Sequence, residues 1–303
     1  MVRWTASNIP SQKGRLAVVT GTGGLGYEDA LALAQAGAEV VIAGRNPDKG
    51  TQAVAKIRNL LPAANARFEP LDLASLRSVG AFCERLKGQS DSLDLLINNA
   101  GVMVPPKRLE TEDGFELQLG TNYLGHFALT AGLMPLLRKG RNARVVTLSS
   151  VAARSGAIQF NDLNAERDYN PMRVYSQSKL ACLMFALELH HRSEAGGWGV
   201  TSIAAHPGIA RTDLLHNAPG RWSATGLTRS LLWFLFQPAW QGALPTLFAA
   251  TSPLAKAGAY YGPDGMAEIR GFPTEAQVPR QALDAQASER LWAVSQALTG
   301  SAF

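Results

Sequence analysis

Only two cysteines occur among the 303 residues, Cys83 and Cys182, and both fall in helix-like stretches without metal-ligand spacing. A disulfide framework is therefore excluded, no metal site is expected, and both thiols are read as core groups in a reducing compartment. No stretch reaches the ~18 apolar residues that a membrane span requires, and residues 1–10 lack the apolar centre of a signal peptide. A cytoplasmic location is the expectation. Lysine and arginine number 29 against 24 acidic residues, a formal charge of +5, but no basic run forms a stripe. Nucleic acid is not an expected partner, whereas mild basicity suits an anionic cofactor. Repeats, low-complexity tracts and Pro/Gly-rich linkers are also missing, so residues 1–12 are expected to be an extension and 13–303 one domain.

What is present is an ordinary globular composition, 46% hydrophobic and 17% charged, with short apolar runs alternating with amphipathic stretches. Strands are expected at Leu16–Thr20, Glu39–Ala43, Arg67–Leu71, Leu93–Ile97, Arg144–Leu148, Val200–Ala205 and around Tyr260. Helices are expected at Glu28–Gln35, Pro47–Leu60, Ser75–Lys87, Thr111–Arg138, from Tyr175 to Arg192, Gln241–Ala250 and Arg280–Leu298. Strand and helix units of this length imply a doubly wound α/β fold, with a mostly parallel seven-stranded sheet covered by helices on both faces.

Between the first strand and first helix stands Gly21-Thr22-Gly23-Gly24-Leu25-Gly26, a G-x-G-x-x-G in the strand-to-helix context that dinucleotide binding requires. Residues without side chains let the backbone approach a pyrophosphate, and the helix N-terminus offers amide donors. The second strand ends Ala43-Gly44-Arg45-Asn46. Arg45 stands where a carboxylate would select NAD(H), and its charged fork suits a ribose 2′-phosphate, so NADP(H) is favoured over NAD(H). Farther on, Tyr175 and Lys179 are four residues apart on an amphipathic helix and so share a face. A nearby cation favours the ionised form of a phenol, which makes the pair a candidate proton donor and acceptor.

Taken in order, these pieces resemble the short-chain dehydrogenase/reductase family, and within it the retinol-dehydrogenase-like branch. The resemblance runs from about Lys13 to the C-terminus and rests on the glycine loop, Asp72, Asn98-Asn99-Ala100-Gly101, Asn122-Tyr123-Leu124-Gly125-His126-Phe127, Ser149-Ser150, Tyr175-x-x-x-Lys179 and Pro207-Gly208-x-x-x-Thr212. It implies that Tyr175 is the general acid or base, that Ser150 rather than Ser149 binds the substrate oxygen, and that Lys179 holds the nicotinamide ribose and eases proton transfer by Tyr175. Asn122 would support a proton-relaying water. Asp72 and Leu73 would lie near adenine, Asn99, Ala100 and Gly101 along the ribose, and Pro207, Gly208, Ile209 and Thr212 at the carboxamide; each also reads as a turn or cap. His126 and His206 are given no catalytic role. The family's usual pairing surfaces, before Tyr123 and around Leu183, imply a homo-oligomer, dimer or tetramer.

One departure is visible: the glycine loop is a residue shorter than the family's T-G-x-x-x-G-x-G, so the turn must tighten or the helix begin earlier. From Leu214 to Trp240 the chain is rich in large apolar groups, including Trp222, Leu231, Leu232, Trp233, Phe234, Leu235 and Phe236. Residues 211–240 are expected to cover a small lipophilic alcohol or ketone, or to meet another subunit or a membrane surface. Two other functions compete with this reading, a non-catalytic dinucleotide sensor or scaffold, and a double-bond reductase on the same fold.

Overall fold

The computed structural model describes residues 3–210 and 237–303. Eight strands form one sheet: β1 (Leu16–Thr20), β2 (Glu39–Gly44), β3 (Ala66–Pro70), β4 (Leu95–Asn98), β5 (Arg144–Leu148), β6 (Thr201–Ala205), β7 (Tyr260–Pro263) and β8 (Pro273–Glu275). Their order is β3-β2-β1-β4-β5-β6-β7-β8, and every pairing is parallel except that of β7 with β8. The doubly wound α/β fold is as expected, with eight strands in place of seven. The added strand is a three-residue edge ending in Glu275, too short and too polar to carry a period-2 signal.

Along each central strand, successive side chains go to opposite faces. Val18, Val41, Leu96 and Val145 enter a core beneath α3 (Leu76–Gln89), α4 (Gly125–Leu137), α5 (Pro171–Ala195) and α8 (Ala285–Thr299). Val19, Val40, Ile97 and Val146 enter a second core beneath α1 (Gly24–Gln35), α2 (Pro47–Leu60) and α7 (Leu244–Thr251), which follows the short α6 (Ala239–Gly242). Both faces are thus buried, which is why these strands read as unbroken apolar runs.

Local chemistry sets the helix ends. Asn46, Ser75 and Asn170 each accept a backbone N–H from the first turn of α2, α3 and α5, and Pro47 and Pro171 occupy first-turn positions. The predicted helix Thr111–Arg138 begins later than expected. Thr111 and Phe115 exchange hydrogen bonds, Thr111 Oγ1 accepting from Phe115 N at 3.1 Å and Thr111 N donating to Phe115 O at 2.8 Å, which closes a turn instead. A π-helical turn, Leu119–Leu124, then leads into α4.

Tyr123 and Leu183, on the expected pairing surfaces, are buried within the chain's own core. Tyr123 Oη lies 2.6 Å from Ser295 Oγ of α8, and Trp292 of that helix packs edge-on to Phe127. Cys83 and Cys182 are buried free thiols. No helix among the described residues is long and apolar enough to cross a membrane. Of the segment 211–240, only Gln237–Trp240 lie within the described residues, so its large apolar groups up to Phe236 fall outside them.

Candidate active site

β2 and β3 lie to one side of β1, and β4 to β6 to the other, so the strand order reverses between β1 and β4. In such sheets the crevice beyond the carboxyl ends at the reversal is the place for a ligand. A cleft of about 1000 Å³ lies there, lined by the segments that follow β1, β4, β5 and β6.

After β1 the shortened glycine loop makes the tight turn that its length demands. Gly21 and Gly24 have φ of +104° and +53°, which favour glycine, and α1 begins at Gly24, four residues before the expected Glu28. A Cβ on Gly21 or Gly26 would stand 2.7 or 2.6 Å from Asn99 Nδ2, an amide fixed by donating to Thr20 O at 2.7 Å. Neither position can carry a side chain, so the glycine loop packs directly against Asn99, and the start of α1 stands at the cleft. Gly21, Thr22, Gly24 and Leu25 line it, while Gly26 is packed behind.

After β4, Asn99, Ala100 and Gly101 form the next stretch of wall. Their support comes from Thr20, whose Oγ1 accepts from Asn99 N and Ala100 N, each at 2.9 Å. Thr20 Oγ1 also lies 2.9 Å from His126 Nε2. His126 Nδ1 lies 2.9 Å from the carbonyl oxygen of Asn122, which can only accept, so the proton is on Nδ1 and Thr20 donates to Nε2. Burial pushes His126 down to about 4. The neutral ring thus joins the glycine loop to the π turn.

Asn122 is buried behind the wall, with both ends of its amide occupied. Oδ1 accepts from Val102 N at 2.7 Å, and Nδ2 donates to Val102 O and Ser178 Oγ, each at 3.0 Å. Its carbonyl oxygen also accepts from the Cys182 thiol at 3.1 Å.

Ser150, Tyr175 and Lys179 share the far end of the cleft. Ser149 Oγ donates to Lys179 O at 2.7 Å, which ties β5 to α5. Ser150 caps a 3₁₀ turn, Val151–Ser155, by accepting from Ala152 N at 3.2 Å, and keeps its hydroxyl proton for another acceptor. Tyr175 and Lys179 both line the cleft although they are only 7% and 6% exposed.

Pro207, Gly208 and Ile209, after β6, complete this end. Ile209 N donates to Ile269 O at 2.8 Å. The neighbouring wall is apolar, with Val102, Met103, Pro105, Pro106, Leu117 and Met172. It is pinned by Gln118, which accepts from Val104 N at 2.7 Å and donates to Pro171 O at 3.1 Å.

Three expected cofactor contacts are not on the cleft wall. Arg45 is exposed beyond it. Asp72 Oδ1 accepts from Ala74 N at 3.0 Å, the turn-forming alternative, and Leu73 is buried against Gly125. The short loop brings Thr22 over Gly44, where a Cβ would stand 2.6 Å from Thr22 Cγ2, and the cleft runs instead to Lys49, Gln52 and Lys56 on α2. Thr212 lies outside the described residues. Thr20, Gln118 and Ser178 were missed in the sequence because each acts through a contact 14 to 80 residues away.

Residues 15–221 match the family model described as short chain dehydrogenase. The chain is 42% identical over 299 residues to a polyprenol dehydrogenase of Mus musculus, covering 97% of this chain and 86% of the relative. It is 38% identical over 298 residues to retinol dehydrogenase 13 of the same species, covering 95% and 85%. Among solved structures, an uncharacterised protein from Mycobacterium paratuberculosis superposes with a TM-score of 0.83 at 38% identity, covering 100% of this chain and 99% of the other. The glycine loop, the cleft at the strand reversal and these relatives agree: the chain belongs to the short-chain dehydrogenase/reductase family, on its retinol-dehydrogenase-like branch, and is an oxidoreductase acting on CH–OH groups with NAD(P).

Proposed function

We propose that the enzyme is NADP(H)-dependent and interconverts a lipophilic primary or secondary alcohol with its aldehyde or ketone, with Tyr175 as general acid and base. The observation that carries this is the convergence of Ser150, Tyr175 and Lys179 on the wall of one cleft that continues to the glycine loop. The cradle fits a dinucleotide. At Gly101 a Cβ would stand 3.0 Å from Asn122 Oδ1 and 3.7 Å from Lys179 Nζ, and Gly21 and Gly24, both at positive φ, line the cleft where α1 begins. The bound dinucleotide supplies or takes up the hydride.

In reduction, Tyr175 gives its phenolic proton to the substrate oxygen, and in oxidation it takes that proton back. Ser150 donates a hydrogen bond to the same oxygen, stabilising charge that develops on it. Lys179 binds the ribose and places a positive charge beside Tyr175. Asn122 holds the segment at Val102 and supports a water that passes protons to Lys179. Gly21, Thr22, Gly24 and Leu25, with Gly26 behind, take the pyrophosphate; Asn99 to Gly101 take the ribose, and Pro207, Gly208, Ile209 and Thr212 the carboxamide.

NADP(H) is favoured because Arg45 stands at the end of β2 where a carboxylate would select NAD(H), and Lys49 and Lys56 line the cleft on α2, with Glu28 as the one acidic group among the described residues of the lining. NAD(H) is the alternative. The apolar wall from Val102 to Met172 supports a lipophilic substrate, and polyprenol and retinol, after which the two relatives are named, are lipophilic alcohols. A cytoplasmic enzyme that forms homo-oligomers is part of the same reading.

The test is absorbance of the reduced nicotinamide, followed with a panel of ketones, aldehydes and enones. Oxidation of NADPH with ketones or aldehydes, faster than with NADH, is expected. Turnover confined to the enone double bond would replace this reading with double-bond reduction.

A further inference from the structure

Beyond the residues that face the cleft, a chain of polar contacts running from a buried histidine out to a surface arginine joins two of its walls. His206 ends the run from β6 into Pro207 and is fully buried. Its Nδ1 accepts from Gly208 N at 3.2 Å, so the proton sits on Nε2, 2.8 Å from Glu268 Oε2. The same carboxylate oxygen is 2.6 Å from Arg154 Nη2, and Oε1 accepts from Gln277 N at 3.0 Å. Every partner of Glu268 is a donor, so the carboxylate is held as an anion between a cation and a neutral imidazole.

Arg154 belongs to the 3₁₀ turn capped by Ser150. Glu268 belongs to the segment whose Ile269 carbonyl holds Ile209 N. Backbone strain marks this segment as over-determined: Ala267 and Glu268, neither of them glycine, have φ of +54° and +57° in succession. Arg154 Nη1 donates to Ala267 O at 3.2 Å and Glu268 N donates to Gly265 O at 2.9 Å, which keeps both residues in that conformation.

We infer that Arg154, Glu268 and His206 are positioning residues that lock the Ser150 turn to the Pro207–Ile209 loop, so that the substrate-oxygen donor and the carboxamide contacts are set together. None of the three lines the cleft, and Arg154 is partly exposed. The assignment rests on reading the cleft as a dinucleotide site.

The test compares Arg154→Met, Arg154→Lys, Glu268→Ala and His206→Asn with the unaltered chain, by titrating NADPH against intrinsic fluorescence and by steady-state kinetics. The shorter side-chain amide of His206→Asn would keep an acceptor for Gly208 N while losing Glu268. Arg154→Met, Glu268→Ala and His206→Asn are each expected to raise the dinucleotide Kd about tenfold and to lower kcat, with Arg154→Lys restoring most of both. Adding Arg154→Met to Glu268→Ala is expected to do little more, because both act through one carboxylate. Variants that bind and turn over within about twofold of the unaltered chain would overturn the inference while leaving the functional reading intact. No dinucleotide binding by the unaltered chain would overturn both.

Discussion

Lys179 Nζ donates to the carbonyl oxygen of Leu148, 3.0 Å away, so the ammonium on α5 is fixed by the end of β5 rather than by its own helix. A planar guanidinium is longer and forked, so it does not repeat the single contact that an ammonium makes there. Lys179→Arg is therefore expected to lower kcat by about 10²-fold and to raise the dinucleotide Kd, measured by turnover and by fluorescence titration.

Tyr175→Phe removes one oxygen and little volume. A fall in kcat of about 10²- to 10⁴-fold is expected, with the dinucleotide Kd nearly unchanged, as befits loss of a proton donor rather than of a binding contact. Near-normal turnover would overturn the assignment of Tyr175 as the acid.

Arg45 carries the cofactor preference proposed above, although it stands off the cleft wall. Arg45→Asp is expected to shift the ratio of kcat/KM for NADPH over NADH by about tenfold or more toward NADH. An unchanged ratio in Arg45→Asp, with a shift in Lys49→Glu, would move the 2′-phosphate contact to α2.

His126 gives the protein an acid-sensitive element. Its folded-state value of about 4 lies below the usual 6.5, because burial opposes the charged ring. The unfolded chain therefore binds the proton first, so stability is full above pH ~6.5 and declines as pH falls toward ~4, by roughly 3 kcal/mol in all. Thermal melts across that range are expected to show the decline, and His126→Gln to flatten it while lowering stability at neutral pH.

Asp29 acts in the opposite direction. It is fully buried in α1, neither carboxylate oxygen has a hydrogen-bond partner among the described residues, and burial followed by the charge of Glu28 raises it well above the usual 3.8. The group contributes to stability fully only below the unfolded value near ~3.9, and that contribution is lost as pH rises. Asp29→Ala is expected to raise stability at pH 7.5 by about 1–3 kcal/mol, and the gain should shrink below pH 4 in denaturant titrations.

Much of this was legible in the sequence because it is local. A buried parallel strand writes an apolar run, a helix start writes Asn46-Pro47, and the pair Tyr175 and Lys179 is set by helical spacing alone. The short loop likewise announced its consequence, an earlier start to α1. The turn at Thr111–Phe115 was not legible, since its side-chain bond competes with a helix that the same residues would permit. Nor was β8, whose three residues depend on β7 for their existence. His206 and Glu268 are 62 positions apart, and nothing in either neighbourhood names the other. Arg45, by contrast, is read from its place after β2, whereas its distance from the cleft wall depends on how the glycine loop lies over Gly44, a contact between separate segments.

Ala210 and Gln237 form a parallel bridge, and the Gln237 amide joins Pro207 O to Gly271 N. The Gln237 side chain, 1% exposed, thereby ties the cleft wall at Pro207 to the loop that leads into β8. Because one buried amide serves both backbone groups, Gln237→Leu would leave Pro207 O and Gly271 N without that partner together, so a single side chain couples two loops that the sequence keeps far apart.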